Sequence, residues 1–210
     1  MIRALAAAMA LASTFASGAA LAEPPPLADV VQKVDAAKAG VETLAGDFTQ
    51  KSRSKLFKAA LSDSGRFYFK QPRQIRWEYT GLDQSVMILD GNKATLTTPG
   101  AAPQVFDLDK DATIRAIFDQ LLVWLGPGSL AAARDDYELA TAGTAAAPIL
   151  ILKPKLASTI GKAFSHIELR LDGKTWLMKS ILLVEKNGDE KEIDFGKLVR
   201  NGKLPAGAFK

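Results

Sequence analysis

The apolar positions of this chain change period several times, and each change marks an element. From Leu27 they recur at helical spacing, at Leu27, Val30, Val31, Val34, Ala37, Val41 and Leu44, while Asp29, Gln32, Lys33, Asp35 and Lys38 take the opposite face. That i, i+3, i+4, i+7 pattern predicts an amphipathic helix with its stripe buried against another layer. Gly46 is expected to help end it. At Phe48-Thr49-Gln50-Lys51 a strand opens, and Lys51, Arg53, Lys55 and Lys58 form a basic, exposed ribbon or loop. Over residues 61–70 the period is two: Phe67 and Phe69 point one way, Arg66, Tyr68 and Lys70 the other. Gln71-Pro72 breaks that strand. In residues 74–80, Ile75, Trp77 and Tyr79 alternate with Arg76 and Glu78. Val86 to Leu89 is a short, nearly all-apolar strand, and Asp90-Gly91 after it is a hairpin signal. Weaker strands are expected over residues 94–98 and 104–108, around a Pro99 to Pro103 loop.

The middle of the chain returns to helical period. Ile114, Ile117, Phe118, Leu121, Leu122 and Leu125 form a strong apolar stripe with Trp124 beside it. Asp109 or Asp111 is placed to cap its start, and Gly126-Pro127-Gly128 to stop it. A shorter helix or turn is expected around Ser129 to Arg134. Strands resume at residues 137–140 and 148–153, across an Ala/Thr/Gly loop. The last part reads as a meander over residues 164–171, 175–185 and 190–195, with turns at Asp172-Gly173 and Asn187-Gly188. Residues 197–210 read as a basic loop. The order predicts an α+β fold, mainly antiparallel β, of about ten to eleven strands. A strongly curved sheet with α-helices packed in its concavity covers all the apolar faces.

Those faces are rich in large, soft side chains: Phe67, Phe69, Trp77, Tyr79, Met87, Phe118, Trp124 and Met178. A plain core uses such residues too. A bent sheet that holds a lid-like helix between long loops also leaves a fillable cavity. The expected lining adds Phe48, Ile75, Leu89, Leu121 and Leu122.

Composition limits the alternatives. The chain has 210 residues, 48% hydrophobic and 24% charged, which suits one globular domain. Residues 1–22 read as a secretory signal: Arg3 in the n-region, an apolar run from Ala4 to Phe15, and Ala20-Leu21-Ala22 as cleavage site. The single domain is then residues 23–210, soluble and exported. With no cysteine the chain has no disulfide and no lipid-modified cysteine. A net charge of +4 is too small to point to nucleic acid. A monomer is expected.

Catalytic groups are scarce. His166 is the single histidine, and without cysteine a His/Cys metal site or a Cys–His pair is excluded. No G-x-S-x-G, P-loop or G-x-G-x-x-G occurs. Asp135-Asp136 and Asp189-Glu190 lie in turn-like polar stretches and read as solvated loops. The expectation is a protein that is not an enzyme and needs no cofactor.

Several stretches, in order, resemble the family of the periplasmic lipoprotein carrier LolA: G-D-F-T-Q-K at residues 46–51, G-R-F-Y-F-K-Q-P at 65–72, R-W-E-Y at 76–79, the Asp90-Gly91 turn, and L-I-L-K-P-K at 150–155. The resemblance covers residues 27 to 195. It implies an incomplete β-barrel closed by a helical lid, whose cavity holds the acyl chains of lipoproteins. It implies transfer from an inner-membrane ABC transporter of the Lol type to an outer-membrane receptor. By motif position, Phe67, Phe69, Ile75 and Trp77 match inward-facing residues of the family, and the 114–125 stripe matches its lid. Where the family carries an arginine that latches the lid, this chain has Gln71; Arg76 or Arg73 is then the candidate substitute. The residues after Asp90-Gly91 also depart from the family's aromatic cluster. A LolA-like paralogue handling another lipid or an acyl or polyketide product fits the same residues. A small non-metal enzyme on the scaffold needs polar groups converging in the cavity, and a purely structural module needs a solid core.

Overall fold

The computed structural model describes residues 23–56, 59–126, 128–156 and 158–210. The proposed export signal, Lys58 and Pro127 lie outside the described residues. The elements, in chain order, are α1 (Leu27–Lys38), β1 (Thr43–Arg53), β2 (Leu61–Lys70), β3 (Gln74–Tyr79), β4 (Val86–Asp90), β5 (Lys93–Thr97) and β6 (Gln104–Asp107). There follow α2 (Ala112–Leu125), a 3-10 turn over Ala132–Asp135, β7 (Tyr137–Thr144), β8 (Ala147–Pro154), α3 (Thr159–Ala163), β9 (Phe164–Leu171), β10 (Met178–Glu185), β11 (Glu190–Phe195) and β12 (Val199–Arg200).

The strands form one 12-stranded sheet in the order β6-β5-β4-β3-β2-β1-β11-β10-β9-β8-β7, with β12 paired to β1. All described pairings are antiparallel. The path runs outward in two meanders, one on each side of the central β1–β11 pair. Its two ends, β6 and β7, are not paired to each other, so the barrel is incomplete. One core cluster takes residues from β1 to β5 and from β7 to β11, so the sheet curls around it. The twelfth strand beyond the expected count is the short β12, in what the sequence reads as a basic loop.

Several boundaries differ from the sequence reading, for local reasons. The first helix ends at Lys38, because the chain turns at Gly40 with φ +71°. Val41 and Leu44 extend the helical spacing but belong to the turn and to β1, where they are buried in the same core. Gly46 therefore ends no helix. It sits within β1, where a β-carbon would come 2.9 Å from Leu198 Cδ2. Lys38 was expected on the solvent face, yet it is buried. The helix α2 begins after Asp111, whose carboxylate accepts from the N–H groups of Thr113 and Ile114. The Ala/Thr/Gly stretch after residue 140 is strand rather than loop, closing a tight β7–β8 hairpin. The five-residue α3, capped by Ser158, had no periodic signal long enough to predict it.

Candidate functional site

The inner face of β1–β3 carries an aromatic wall. Alternation places Phe67 and Phe69 of β2 and Ile75 and Trp77 of β3 inward, and the register pairs Phe67 with Trp77 and Phe69 with Ile75. The Phe48 ring stacks on Trp77 with centroids 4.3 Å apart, and Phe67 stacks on the same indole at 5.7 Å. Tyr79 meets Phe48 edge-on at 5.4 Å. Gly65, opposite Phe48 in the register, leaves room for that ring, since a β-carbon there would run into it. The Tyr79 hydroxyl donates to Gln50 Oε1 at 2.9 Å, so its polar atom is satisfied. Leu89 of β4 is fully buried and Met87 partly so. These residues share the interior, and they pack on one another.

The helix α2 covers another part of that interior. Phe118, Trp124 and Leu125 are buried, whereas Ile114, Leu121 and Leu122 are only half-buried and Ile117 is 42% exposed. This helix is thus more apolar than its present contacts use. At its C-terminal end Gly126 lies on Phe69, so close that a β-carbon would stand 3.3 Å from the ring. On one flank Arg73 bridges to Asp119 at 2.9 Å. Arg115 holds the start of the helix through Asp109, also at 2.9 Å.

The residues proposed as a lid latch lie elsewhere. Arg76 sits on the outer face of β3 and pairs with Glu78 at 2.9 Å, as its alternation with Trp77 requires. It makes no described bond to α2, so the latch assignment to Arg76 is corrected. Gln71 donates its amide N–H to the Val41 carbonyl, which ties the β2–β3 turn to the α1–β1 connection instead. Of the basic residues near this turn, Arg73 is the one that reaches α2.

The tie between α1 and α2 was not anticipated. Lys38 is 4% exposed, and its ammonium donates to the carbonyls of Val123, at 2.7 Å, and of Gly128. Asp35, one turn earlier, lies 3.9 Å from the ammonium. Its carboxylate accepts from Ser129 Oγ at 2.6 Å and from the Leu130 N–H at 2.8 Å. Two charged groups of one helix thus clasp the exit of the other. Burial pulls the Lys38 pKa down from its ordinary 10.5 to about 8, and Asp35 opposes that shift. At neutral pH the group remains a cation. Periodicity could not find it, because only the return of α2 onto α1 covers it.

Beside Lys38 lies a small void of about 20 Å³, room for roughly one water. Its walls come from α1, the end of α2, β9, the start of β10 and Leu198. Of the expected lining residues Met178 borders it, together with Trp124; the aromatic wall does not. Trp176 borders it too, and Lys33 Nζ stands 4.7 Å from that indole. Trp124 Nε1 is buried and has no hydrogen-bond partner among the described residues.

No group of three or more metal-ligating side chains is found among the described residues. His166 lies half-exposed on β9, 3.2 Å from Ser165 Oγ and 3.8 Å from Glu168. No helix among the described residues is long and apolar enough to cross a membrane.

The chain is similar to several known proteins. The sequence profile described as "Outer membrane lipoprotein carrier protein LolA" matches residues 39–210. A curated relative, the outer-membrane lipoprotein carrier protein of Bordetella avium, is 27% identical over 199 residues, covering 90% of this chain and 87% of the relative. Among solved structures, a LolA superfamily protein from Nitrosomonas europaea aligns with TM-score 0.47 at 11% identity, covering 87% of this chain and 96% of the other. The Mycobacterium tuberculosis lipoprotein LppX aligns with TM-score 0.48 at 9% identity, covering 84% and 96%.

Proposed function

The chain belongs to the LolA family of outer membrane lipoprotein carrier proteins, and from that premise we propose that it carries lipoprotein acyl chains through the periplasm, between the sheet and α2. Family membership supports a lipoprotein-related carrier. The proposed route runs from an inner-membrane ABC transporter of the Lol type to an outer-membrane receptor.

The observation that carries the proposal is the unused apolar surface of α2. The helix buries Phe118, Trp124 and Leu125 but leaves Ile114, Ile117, Leu121 and Leu122 partly exposed, an apolar surface that a ligand can cover. When α2 lifts, Phe118, Leu121 and Leu122 on the helix and Phe69, Ile75, Leu89 and Met178 below it form the lining. Trp77, with Phe48, Phe67, Tyr79 and Met87, backs the far end. Each methylene moved from water into that space contributes about 0.8 kcal/mol, so an acyl chain supplies ample gross energy. The closed form then needs only moderate stability, so that loading and release stay near balance.

A photo-crosslinking amino acid at position 121, introduced in cells, tests this reading. Acylated lipoproteins attached to the carrier are the expected products. If only unacylated proteins, or nothing, are captured, the carrier reading fails. Capture of a different acyl product points to the paralogue's cargo.

A further inference from the structure

The segment that follows β11 is basic and free of acid. No Asp or Glu occurs from Phe195 to Lys210, and Lys197, Arg200 and Lys203 are all exposed. None of these three has an ion-pair partner among the described residues, whereas Arg53, Arg66, Arg73, Arg76, Arg115 and Arg170 each lie against a carboxylate. Val199, between them, is 47% exposed. The segment is nevertheless anchored to the start of β1. The Asn201 N–H donates to the Thr43 carbonyl at 2.8 Å, and the Asn201 side-chain carbonyl accepts from the Glu42 N–H, also at 2.8 Å. The Asn201 amide donates to the Gly40 carbonyl at 2.8 Å, and the Thr43 hydroxyl to the Gly202 carbonyl at 3.0 Å. These bonds hold three free cations and a valine in fixed positions on the surface.

Their place in the fold is the mouth of the seam. Leu198, inside this segment, borders the void beside Lys38, and Arg200 stands opposite Leu44, which borders it too. Trp176 borders the same void and carries the exposed Lys33 against its ring. Cations therefore flank the seam on two sides, each beside an apolar side chain. Such a mixture suits an anionic lipid surface, where the charges meet headgroup phosphates and the apolar groups enter the layer beneath. An acidic protein face would satisfy the cations and leave Val199 without an apolar partner.

We propose that residues 197–203, with Lys33 and Trp176 facing them across the void, form a docking surface for an anionic phospholipid bilayer. The inference rests on the carrier reading, because docking there sets the mouth of the seam against the layer in which acyl chains lie. Acyl chains on a lipoprotein are linked as esters or amides and carry no charge, so the cations act on the surrounding phospholipids and not on the cargo. Lifting α2 leaves the surface intact, since α1, the β9–β10 turn and the β12 segment carry it.

The test uses the purified protein and sedimenting vesicles of phosphatidylcholine, alone or with about 30% phosphatidylglycerol. At low salt, binding to the anionic vesicles is expected to be at least about tenfold tighter, and at about 0.5 M salt the preference should vanish. The triple variant Lys197→Gln/Arg200→Gln/Lys203→Gln lowers the ratio to about twofold or less. A second triple variant, Lys51→Gln/Lys153→Gln/Lys162→Gln, removes the same charge from exposed lysines toward the other end of the strands and keeps most of the preference. Thermal unfolding establishes that both variants fold. Equal binding of the wild type to the two vesicles, or equal loss in the two variants, overturns this inference and leaves the carrier reading to crosslinking at position 121. Binding to polyglutamate in preference to either vesicle would assign the surface to an acidic protein and overturn the lipid assignment. If docking holds while position 121 captures nothing acylated, the surface stands and its part in carriage falls.

Discussion

Two regions of the interior are built on opposite terms. In the aromatic wall Phe48, Phe67, Trp77 and Tyr79 stack ring on ring, and the Tyr79 hydroxyl has its partner. In the seam between α1 and α2 a void remains, a lysine is buried, and an indole N–H has no partner among the described residues. Close packing makes a region resist change, because every displaced ring loses contacts on several sides. A seam held by a few polar ties, with empty space beside it, has a second arrangement within reach. The difference assigns the wall to stability and the seam to opening.

Mutations sharpen that contrast in a definite order. Phe67→Ala, in the wall, is expected to lower unfolding free energy by about 3–5 kcal/mol, read from the denaturant midpoint. A cost under about 1 kcal/mol there would mean that the wall is loosely packed. The seam shows itself next through pH. Lys38 binds its proton less readily folded than unfolded, so its folded-state pKa of about 8 lies below the ordinary 10.5. Below pH 8 both states are protonated and the penalty is full; between 8 and 10.5 the unfolded state holds more protons, so the wild type gains stability relative to Lys38→Met as pH rises. The recovered amount is on the order of 3 kcal/mol, and a pH-independent difference between the two proteins would refute the buried cation. Asp35→Ala strips Ser129, Leu130 and Lys38 of their shared partner and is expected to cost about 1–3 kcal/mol. It should also raise the rate of hydrogen exchange at the end of α2. Arg73→Ala removes a half-exposed pair with Asp119 and is expected to cost less than about 1 kcal/mol in the same unfolding assay.

Much of this was legible in the sequence. Alternation in residues 65–80 placed Phe67, Phe69, Ile75 and Trp77 on one inner face, because a strand's period of two leaves no other arrangement. The start of α2 was narrowed to Asp109 or Asp111, of which Asp111 is the cap, and the Asp-Gly and Asn-Gly pairs announced their hairpins. The family itself was legible from ordered motifs. What stayed hidden depends on contacts between distant parts of the chain. Lys38 has the spacing of a solvent-facing residue, and only α2, some 85 positions later, buries it. The latch was sought at Gln71 by motif position, with Arg76 or Arg73 as the substitute; Arg76 alternates outward, Gln71 bonds the α1–β1 connection, and Arg73 reaches α2. Val41 and Leu44 fit a helix by spacing, and a single turn at Gly40 moved them into other elements.

The placement of the three tryptophans allows the most direct test of opening at the seam. Trp77 stands in the wall, while Trp124 and Trp176 border the void. Single-tryptophan variants, with the other two replaced by phenylalanine, can be loaded with an acyl chain brominated near its head. Quenching by bromine requires near contact, so the emission of Trp124 and Trp176 should fall strongly while that of Trp77 stays nearly unchanged. Strong quenching of Trp77 with Trp124 and Trp176 unaffected would place the cargo in the wall and contradict the account.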